Sequence, residues 1–137
     1  MELCEKHILR YLELLREDVK TQEPVKSSRI KAGLIYKNEL LSFGINRMKS
    51  HPFQKKFGKN EDAIYLHAEI DCIINALRNN MSLDEISKST MLVVRNKRQG
   101  RNWVDGLAKP CLGCQKAISH FDIRNVIYTT DEGVDFL

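Results

Sequence analysis

The sequence predicts an α/β protein, a mixed β-sheet of about four to five strands with helices packed on it. Segments with helical spacing alternate with short β-prone segments through the second half of the chain. In addition, the run Met91 to Val94 is short, continuous and apolar, which is typical of a buried central strand. Alternation of strands and helices around such a strand favours a sheet that is covered on its faces.

Length and composition indicate one compact domain spanning residues 1–137, because single domains most often have about 100–150 residues. Hydrophobic residues make up 42% and charged residues 29% of the chain, which excludes a disordered or collagen-like protein. The formal net charge of +4 is too small to indicate nucleic-acid binding by itself. The basic residues nevertheless form two acid-free clusters, Arg47, Lys49, Lys55, Lys56 and Lys59, and Arg95, Lys97, Arg98 and Arg101.

Cysteine usage indicates a reducing compartment. The chain has four cysteines, two of them in one Cys-x-x-Cys, and its start does not resemble a secretion signal. No apolar run approaches the roughly 18 residues that a membrane span needs. We therefore expect a soluble cytoplasmic protein that does not bind membranes and uses cysteine for metal binding rather than for disulfides.

The first half predicts a helix followed by a hairpin. Apolar residues recur at helical spacing over residues 3–20, so this segment is expected to be an amphipathic helix. Residues 29–36 and 40–46 are β-prone and flank a turn without glycine, Lys37 to Glu39. Residues 48–61 are expected to form a polar, lysine-rich loop.

The second half predicts two helices that each begin at a conspicuous motif. Ile70, Ile73, Ile74 and Leu77 lie on one helical face, which places His67 and Glu69 at the first turn. A capping box at Ser82 opens a short helix, and residues 99–109 are expected to be a second long loop. Helical spacing from Cys114 to Phe121 then places Cys111 and Cys114 at another first turn, and residues 125–129 form the last clear strand.

The two motifs together predict a catalytic zinc site. Catalytic Zn²⁺ takes three ligands from His, Cys or carboxylate and keeps a fourth position open, and His67, Cys111 and Cys114 supply that set. Cysteines three apart share a helix face, and the helix N-terminus favours their thiolate forms. In the predicted sheet both helices start at the same edge, which brings the three residues within reach of one ion.

Glu69 lies two residues beyond the histidine and is expected to transfer protons. It can take a proton from an activated water, deliver it to a ring nitrogen and then to departing ammonia. His-x-Glu followed by Pro-Cys-x-x-Cys is a known signature of zinc-dependent base deaminases.

Other interpretations of these residues stay open. A lone Cys-x-x-Cys also occurs in structural zinc and redox sites, but the candidates for a fourth structural ligand lack ligand-like spacing: Cys4, Cys72, His51 and His120. Trp103 and Tyr65, beside the motifs, can either stack on a base or pack in the fold.

With these motifs, residues 30–129 resemble the cytidine and deoxycytidylate deaminase superfamily. The resemblance implies a three-layer sandwich, assembly into homo-oligomers, Zn²⁺ bound by His67, Cys111 and Cys114, and Glu69 as the catalytic proton shuttle. It also implies that Asn46, in Gly-Ile-Asn-Arg, contacts the substrate, and that the backbone of Ala68 borders the pocket.

Two features depart from the deoxycytidylate branch of this superfamily, which the motif spacing otherwise resembles. Asp71 stands where that branch usually has Asn, and the chain stops soon after Thr130, without the branch's later strand and helix. The shortened end is expected to leave a sheet edge exposed unless another subunit or the last residues cover it.

The resemblance yields three hypotheses about function. The first is deamination of a free nucleotide, dCMP, with its phosphate met by basic side chains at Arg47 or Lys49 and His51 facing the site. The second is deamination of a base within a nucleic acid, with the two basic clusters contacting successive phosphates. The third is a catalytically silent domain that binds zinc or a nucleotide.

Overall fold

A computed structural model describes residues 5–48 and 66–137 of the chain. The described residues form four helices and six strands in this order: α1 (Glu5–Val19), β1 (Ser28–Tyr36), β2 (Glu39–Ile45), α2 (Ala68–Arg78), α3 (Leu83–Ser87), β3 (Thr90–Gln99), β4 (Asn102–Asp105), α4 (Leu112–His120), β5 (Asn125–Thr129) and β6 (Val134–Phe136). The predicted loop at residues 48–61 lies almost entirely outside the described residues. No helix in the described part of the chain is long and apolar enough to cross a membrane.

The strands form one mixed sheet. Its order is β2-β1-β3-β5-β6, and β4 pairs with β3 off this path. β3 and β5 are parallel, whereas the other pairs are antiparallel. The predicted mixed sheet is confirmed, but it has six strands rather than four or five.

The predicted hairpin turns over two residues instead of three. Lys37 and Asn38 have φ angles of 50° and 66°, and Glu39 already pairs with Tyr36. Two consecutive left-handed residues are what a type I′ turn requires, and asparagine tolerates that conformation better than most residues. The hydroxyl of Tyr11 donates to the carbonyl oxygen of Asn38 at 2.8 Å, which fastens the turn to α1.

Two strands form where the sequence predicted none. The expectation of a long loop over residues 99–109 was wrong for β4, which pairs antiparallel with the end of β3 through Asn96 to Gln99. β6 pairs with β5 and covers the edge that the short C-terminus was expected to leave open. All three residues of β6 are exposed and β4 is at most half-buried, so neither strand contains a fully buried apolar residue.

The sheet has a hydrophobic core on each face, which makes three layers. Alternate residues of β3 point to opposite faces of the sheet. Met91 and Val93 pack with α2, α3 and α4, whereas Leu92 and Val94 pack with α1. On the α1 face, Leu12 and Leu15 are fully buried against the sheet. The period of two explains why Met91 to Val94 is apolar throughout, since both faces of this strand are covered.

Candidate metal centre and active-site cavity

The first half of the site lies at the start of α2, which is held against the strand β2. His67 is the N-cap residue, and the preceding Leu66 is fixed by a hydrogen bond from the backbone N–H of Arg47 to its carbonyl oxygen at 2.9 Å. The hydroxyl of Ser42 donates to the carbonyl oxygen of Cys72 at 2.8 Å, deeper in the helix. These bonds fix the helix backbone from which the side chains of His67 and Glu69 extend.

Gly44 permits this close approach of β2 and α2. A Cβ atom built there would overlap the backbone nitrogen of Cys72 and lie 2.5 Å from the carbonyl oxygen of Ala68. Both neighbours are backbone, so they cannot move aside as a side chain can. Only glycine fits at this position without displacing the helix that carries His67 and Glu69.

The second half of the site lies at the start of α4. Cys111 is the N-cap residue, and its sulfur accepts from the backbone N–H of Cys114 at 3.5 Å. The segment before it is tied to β5 by a hydrogen bond from the N–H of Ala108 to the carbonyl oxygen of Thr129 at 2.8 Å. The two sulfurs are therefore delivered by the turn into α4, as the spacing predicted.

The three ligand atoms of His67, Cys111 and Cys114 all lie within 4.8 Å of one another. The sulfurs of Cys111 and Cys114 are 3.6 and 3.4 Å from Nδ1 of His67. Tetrahedral zinc, with Zn–S near 2.3 Å and Zn–N near 2.0 Å, requires a sulfur–nitrogen separation of about 3.6 Å. The geometry and the donor types therefore fit zinc, and no other group of three such side chains clusters in the described ranges.

The two thiols differ in acidity. A hydrogen bond from the Cys114 side chain lowers the pKa of Cys111 to about 4. The same hydrogen bond, together with burial, raises the pKa of Cys114 well above its ordinary value. Without a metal the pair thus shares one proton, and binding of a cation at this position releases it.

Glu69 is buried beside these ligands, with 5% of its surface exposed. Burial raises the pKa of its carboxyl group above the ordinary value, because a charged carboxylate loses its hydration there. A carboxyl group with a raised pKa holds a proton more readily than an ordinary carboxylate, which suits acid–base chemistry.

A cavity of about 440 Å³ opens onto His67, Cys111 and Glu69. Of the predicted substrate-binding residues, Asn46 and Arg47 line it. Ala68 is fully buried and is not part of the lining formed by the described residues. Lys49 and His51 lie outside the described residues, as do Cys4 and Tyr65.

The cavity also includes residues that the sequence did not single out. Its lining continues with Lys26, Ser28, Arg95 and Lys109. Arg95 belonged to one of the acid-free clusters, but nothing in the sequence distinguished it from its neighbours. Its position near the end of the buried strand was the one available signal, because ligands of such sheets bind beyond the carboxyl ends of the strands.

The other candidate residues lie elsewhere in the fold. The thiol of Cys72 is buried and donates a hydrogen bond to the carbonyl oxygen of Ser42 at 3.6 Å, as expected of a core cysteine. The guanidinium carbon of Arg29 lies 3.7 Å above the ring centroid of Trp103. Trp103 is not in the described lining of the cavity. His120 packs edge-on against Phe121 at 5.2 Å, far along α4 from the site.

Taken together, the layers, the two helix starts and the His-Cys-Cys group define a metal-binding α/β protein with a carboxyl group at its metal centre. Comparison with known proteins specifies the class further. The sequence profile of the cytidine and deoxycytidylate deaminase zinc-binding region matches residues 5–130, so the chain belongs to this family of zinc-dependent hydrolases. No curated protein sequence matches it.

Solved structures show the same fold at low sequence identity. A dCMP deaminase from the cyanophage S-TIM5 is 17% identical, with a TM-score of 0.65 over 93% of this chain and 86% of that one. A cytidine deaminase from Burkholderia pseudomallei is 14% identical, with a TM-score of 0.64 over 94% and 90% of the two chains. These likenesses confirm the architecture.

Proposed function

We propose that this protein is a zinc-dependent hydrolytic deaminase that converts the cytosine of a free nucleotide, dCMP, to uracil with release of ammonia. The observation that carries the proposal is the cluster of the His67, Cys111 and Cys114 ligand atoms at a cavity that is also lined by the buried carboxyl of Glu69. The volume of about 440 Å³ is within the range of about 300–1,000 Å³ usual for small-molecule sites.

In this proposal zinc, when bound, acidifies a water molecule and so supplies the nucleophile. Glu69 accepts one proton of that water and transfers it to the ring nitrogen of the base. It then takes the proton of the hydroxyl group newly bonded to the ring carbon and delivers it to the amino group, which leaves as ammonia while the carbon–oxygen double bond forms. Its buried position favours this role, since the raised pKa lowers the cost of holding the proton between the two transfers. His67, Cys111 and Cys114 hold the ion and leave one coordination position open.

Asn46 is proposed to contact the sugar or base with the remaining hydrogen of its amide. The Asn46 Oδ1 accepts from the backbone N–H of Ile30 at 2.9 Å and from the Gln22 side chain at 3.0 Å, and Nδ2 donates to the carbonyl oxygen of Ser28 at 3.1 Å. An amide nitrogen carries two hydrogens, so one is left for a ligand in the cavity. Lys49, His51 and the backbone of Ala68 remain proposed substrate contacts, whereas Arg47 is already paired with Asp71.

A base within a nucleic acid is the second candidate substrate. It is favoured by the basic cluster on β3, but the members of that cluster have separate contacts. Lys97 pairs with Asp131 at 3.1 Å, and Arg98 donates to the carbonyl oxygen of Gly100 at 3.1 Å. Of this cluster, Arg95 alone is in the described lining of the cavity. A free nucleotide, which needs one phosphate contact, fits this arrangement better than a strand that needs several.

We also propose that the protein self-associates. β6 is an edge strand whose Phe136 is 69% exposed and is followed by Leu137, 45% exposed. Unpaired edges with apolar side chains are the surfaces that subunits commonly cover. The mass of the native protein by light scattering tests this, and a monomer at all concentrations would contradict it.

Ammonia release tests the proposed activity directly. The zinc-loaded protein is incubated with dCMP, dCTP, cytidine, single-stranded DNA and tRNA, and we expect dCMP to give the highest kcat/KM. If only a polynucleotide yields ammonia, and its affinity falls steeply with salt, the second candidate replaces the first. If zinc is stoichiometric and no substrate reacts, the protein is a silent binding domain.

A further inference from the structure

Two arginines line the cavity, and they differ in how their charges are neutralised. Arg47 Nε lies 3.3 Å from Oδ2 of Asp71, and the same carboxylate oxygen accepts the backbone N–H of Ile45 at 3.0 Å. Asp71 is buried on α2, so this ion pair ties the end of β2 to the helix. The charge of Arg47 is therefore already balanced by the protein.

Arg95 has no carboxylate within ion-pair distance among the described residues. Its Nε and Nη2 donate to the hydroxyl oxygen of Ser28 at 3.1 and 2.8 Å, and its Nη1 donates to the carbonyl oxygen of Leu107 at 3.2 Å. Both acceptors are uncharged. These bonds fix the direction of the guanidinium, and among residues 5–48 and 66–137 no carboxylate balances its positive charge.

The hydrogen bonds of Arg95 leave donors for a ligand. A guanidinium has five N–H groups in a planar fork, and the contacts with Ser28 and Leu107 occupy three of them. The remaining donors can bind two oxygens of one phosphate, which is the geometry that arginine recognises best. Because Arg95 is half-buried, such a bond is shielded from water more than one made by an exposed lysine.

The surroundings of Arg95 strengthen its attraction for an anion. The described lining of the cavity also includes Lys109, and its one carboxyl group is that of Glu69. Ser28, which orients the guanidinium, is itself buried and accepts from Asn46 through its carbonyl oxygen. A single hydrogen-bonded chain thus joins the proposed sugar or base contact to the unbalanced arginine.

From this arrangement we infer that Arg95 binds the phosphate of the substrate and makes the enzyme select phosphorylated ligands, whereas Arg47 is structural. Ser28 acts as a positioning residue that holds the Arg95 guanidinium toward the cavity. The inference rests on the proposed function, because it assumes that a nucleotide base occupies the zinc end of the same cavity.

Binding of dUMP and deoxyuridine to the zinc-loaded protein, measured by calorimetry, tests the inference. We expect Arg95→Met to weaken dUMP binding by about 10- to 100-fold, the usual effect of losing hydrogen bonds to a charged group, and to leave deoxyuridine within about 3-fold. Ser28→Ala should shift the dUMP-to-deoxyuridine ratio in the same direction by less. The control Arg98→Met removes an exposed arginine of the same strand and should change neither ligand.

Three results would overturn the inference: dUMP and deoxyuridine binding equally, Arg95→Met weakening both ligands alike, or Arg47→Met reducing the preference for dUMP while Arg95→Met does not. Tighter binding of an oligonucleotide with internal phosphates than of dUMP would also overturn it, because the arginine would then serve a diester. Ammonia release with dCMP and deoxycytidine separates this inference from the proposed function. Arg95-dependent dUMP binding without ammonia refutes the function alone, and equal turnover of both substrates refutes the inference alone.

Discussion

The two helices that meet at the metal centre are held in place in different ways. The start of α2 is packed: it lies against β2 with no room for a side chain at Gly44, and Asn75 donates to the carbonyl oxygen of Phe43 at 2.9 Å farther along. The start of α4 is more open, since Cys111 is exposed and Leu112 is 66% exposed. There the sulfur of Cys111 caps the helix, and a bound metal would link the start of α4 to His67 on the other half.

Because of this difference, the two halves of the site are expected to have different roles. The packed half carries the buried carboxyl of Glu69, whose raised pKa depends on exclusion of water. The open half carries the two sulfurs, one of which is easily ionised. Apart from the ligand His67, changes at α2 should therefore affect chemistry and folding, whereas changes at α4 should affect metal binding.

The largest effect is expected from Glu69→Gln, which removes the proton-transfer group from the packed half. Zinc content should stay stoichiometric, because Glu69 is not one of the three clustered ligands. Turnover of dCMP should fall by about 10²- to 10⁴-fold, the usual contribution of general acid–base catalysis. Ammonia release and metal analysis on the same sample measure both, and full activity in this variant would refute the proton role.

The next largest effect is expected from Cys114→Ser in the open half. Loss of a ligand sulfur should weaken zinc binding by more than about 100-fold, since even changes to residues around a ligand cost about 10- to 100-fold. Cys72→Ala is the matched control: it removes a buried thiol outside the site and should keep the metal, at a cost of about 1 kcal/mol in stability. Equal zinc affinity in both variants would contradict the assignment.

Gly44→Ala tests the packing of α2 against β2. We expect the free energy of unfolding to fall by about 1–3 kcal/mol, because the new methyl group meets backbone atoms that cannot yield. Gly133→Ala adds the same atom where nothing lies within 4 Å, and should change stability by less than about 0.5 kcal/mol. Chemical denaturation measures both, and equal stabilities would show that the close approach is unimportant.

The smallest effect is expected from Asp71→Asn. The amide oxygen can still accept the N–H of Ile45, so only the ion pair with the 42% exposed Arg47 is lost. Although Asp71 is buried, the arginine end of the pair is in contact with solvent, so we expect the free energy of unfolding to fall by about 0–1 kcal/mol, the range of solvent-exposed pairs. A loss of several kcal/mol would mean that the Arg47–Asp71 pair stabilises the contact between β2 and α2 more strongly than its geometry indicates.

The sequence predicted that His67, Cys111 and Cys114 cluster at two helix starts, because helix starts have local signals. His67 and Cys111 each precede a run of apolar residues at helical spacing, and both are N-cap residues in the structure. The capping box at Ser82 is present as well. These features depend on residues within one or two turns of each other, so a single sequence suffices to find them.

What the sequence could not predict depends on partners that are distant along the chain. β4 and β6 are held by backbone pairing to β3 and β5, so their own side chains carry no burial pattern. Likewise, Arg47 and Arg95 are alike as residues, and only the position of Asp71 on α2 distinguishes the balanced charge from the unbalanced one.

The central claim is that one zinc ion, bound by His67, Cys111 and Cys114, is required for deamination. Its most direct test is ammonia release from dCMP by the purified protein before chelation, after removal of the metal, and after addition of one equivalent of zinc. We predict that activity disappears with the metal and returns with it. Undiminished activity in the metal-free protein would contradict the claim.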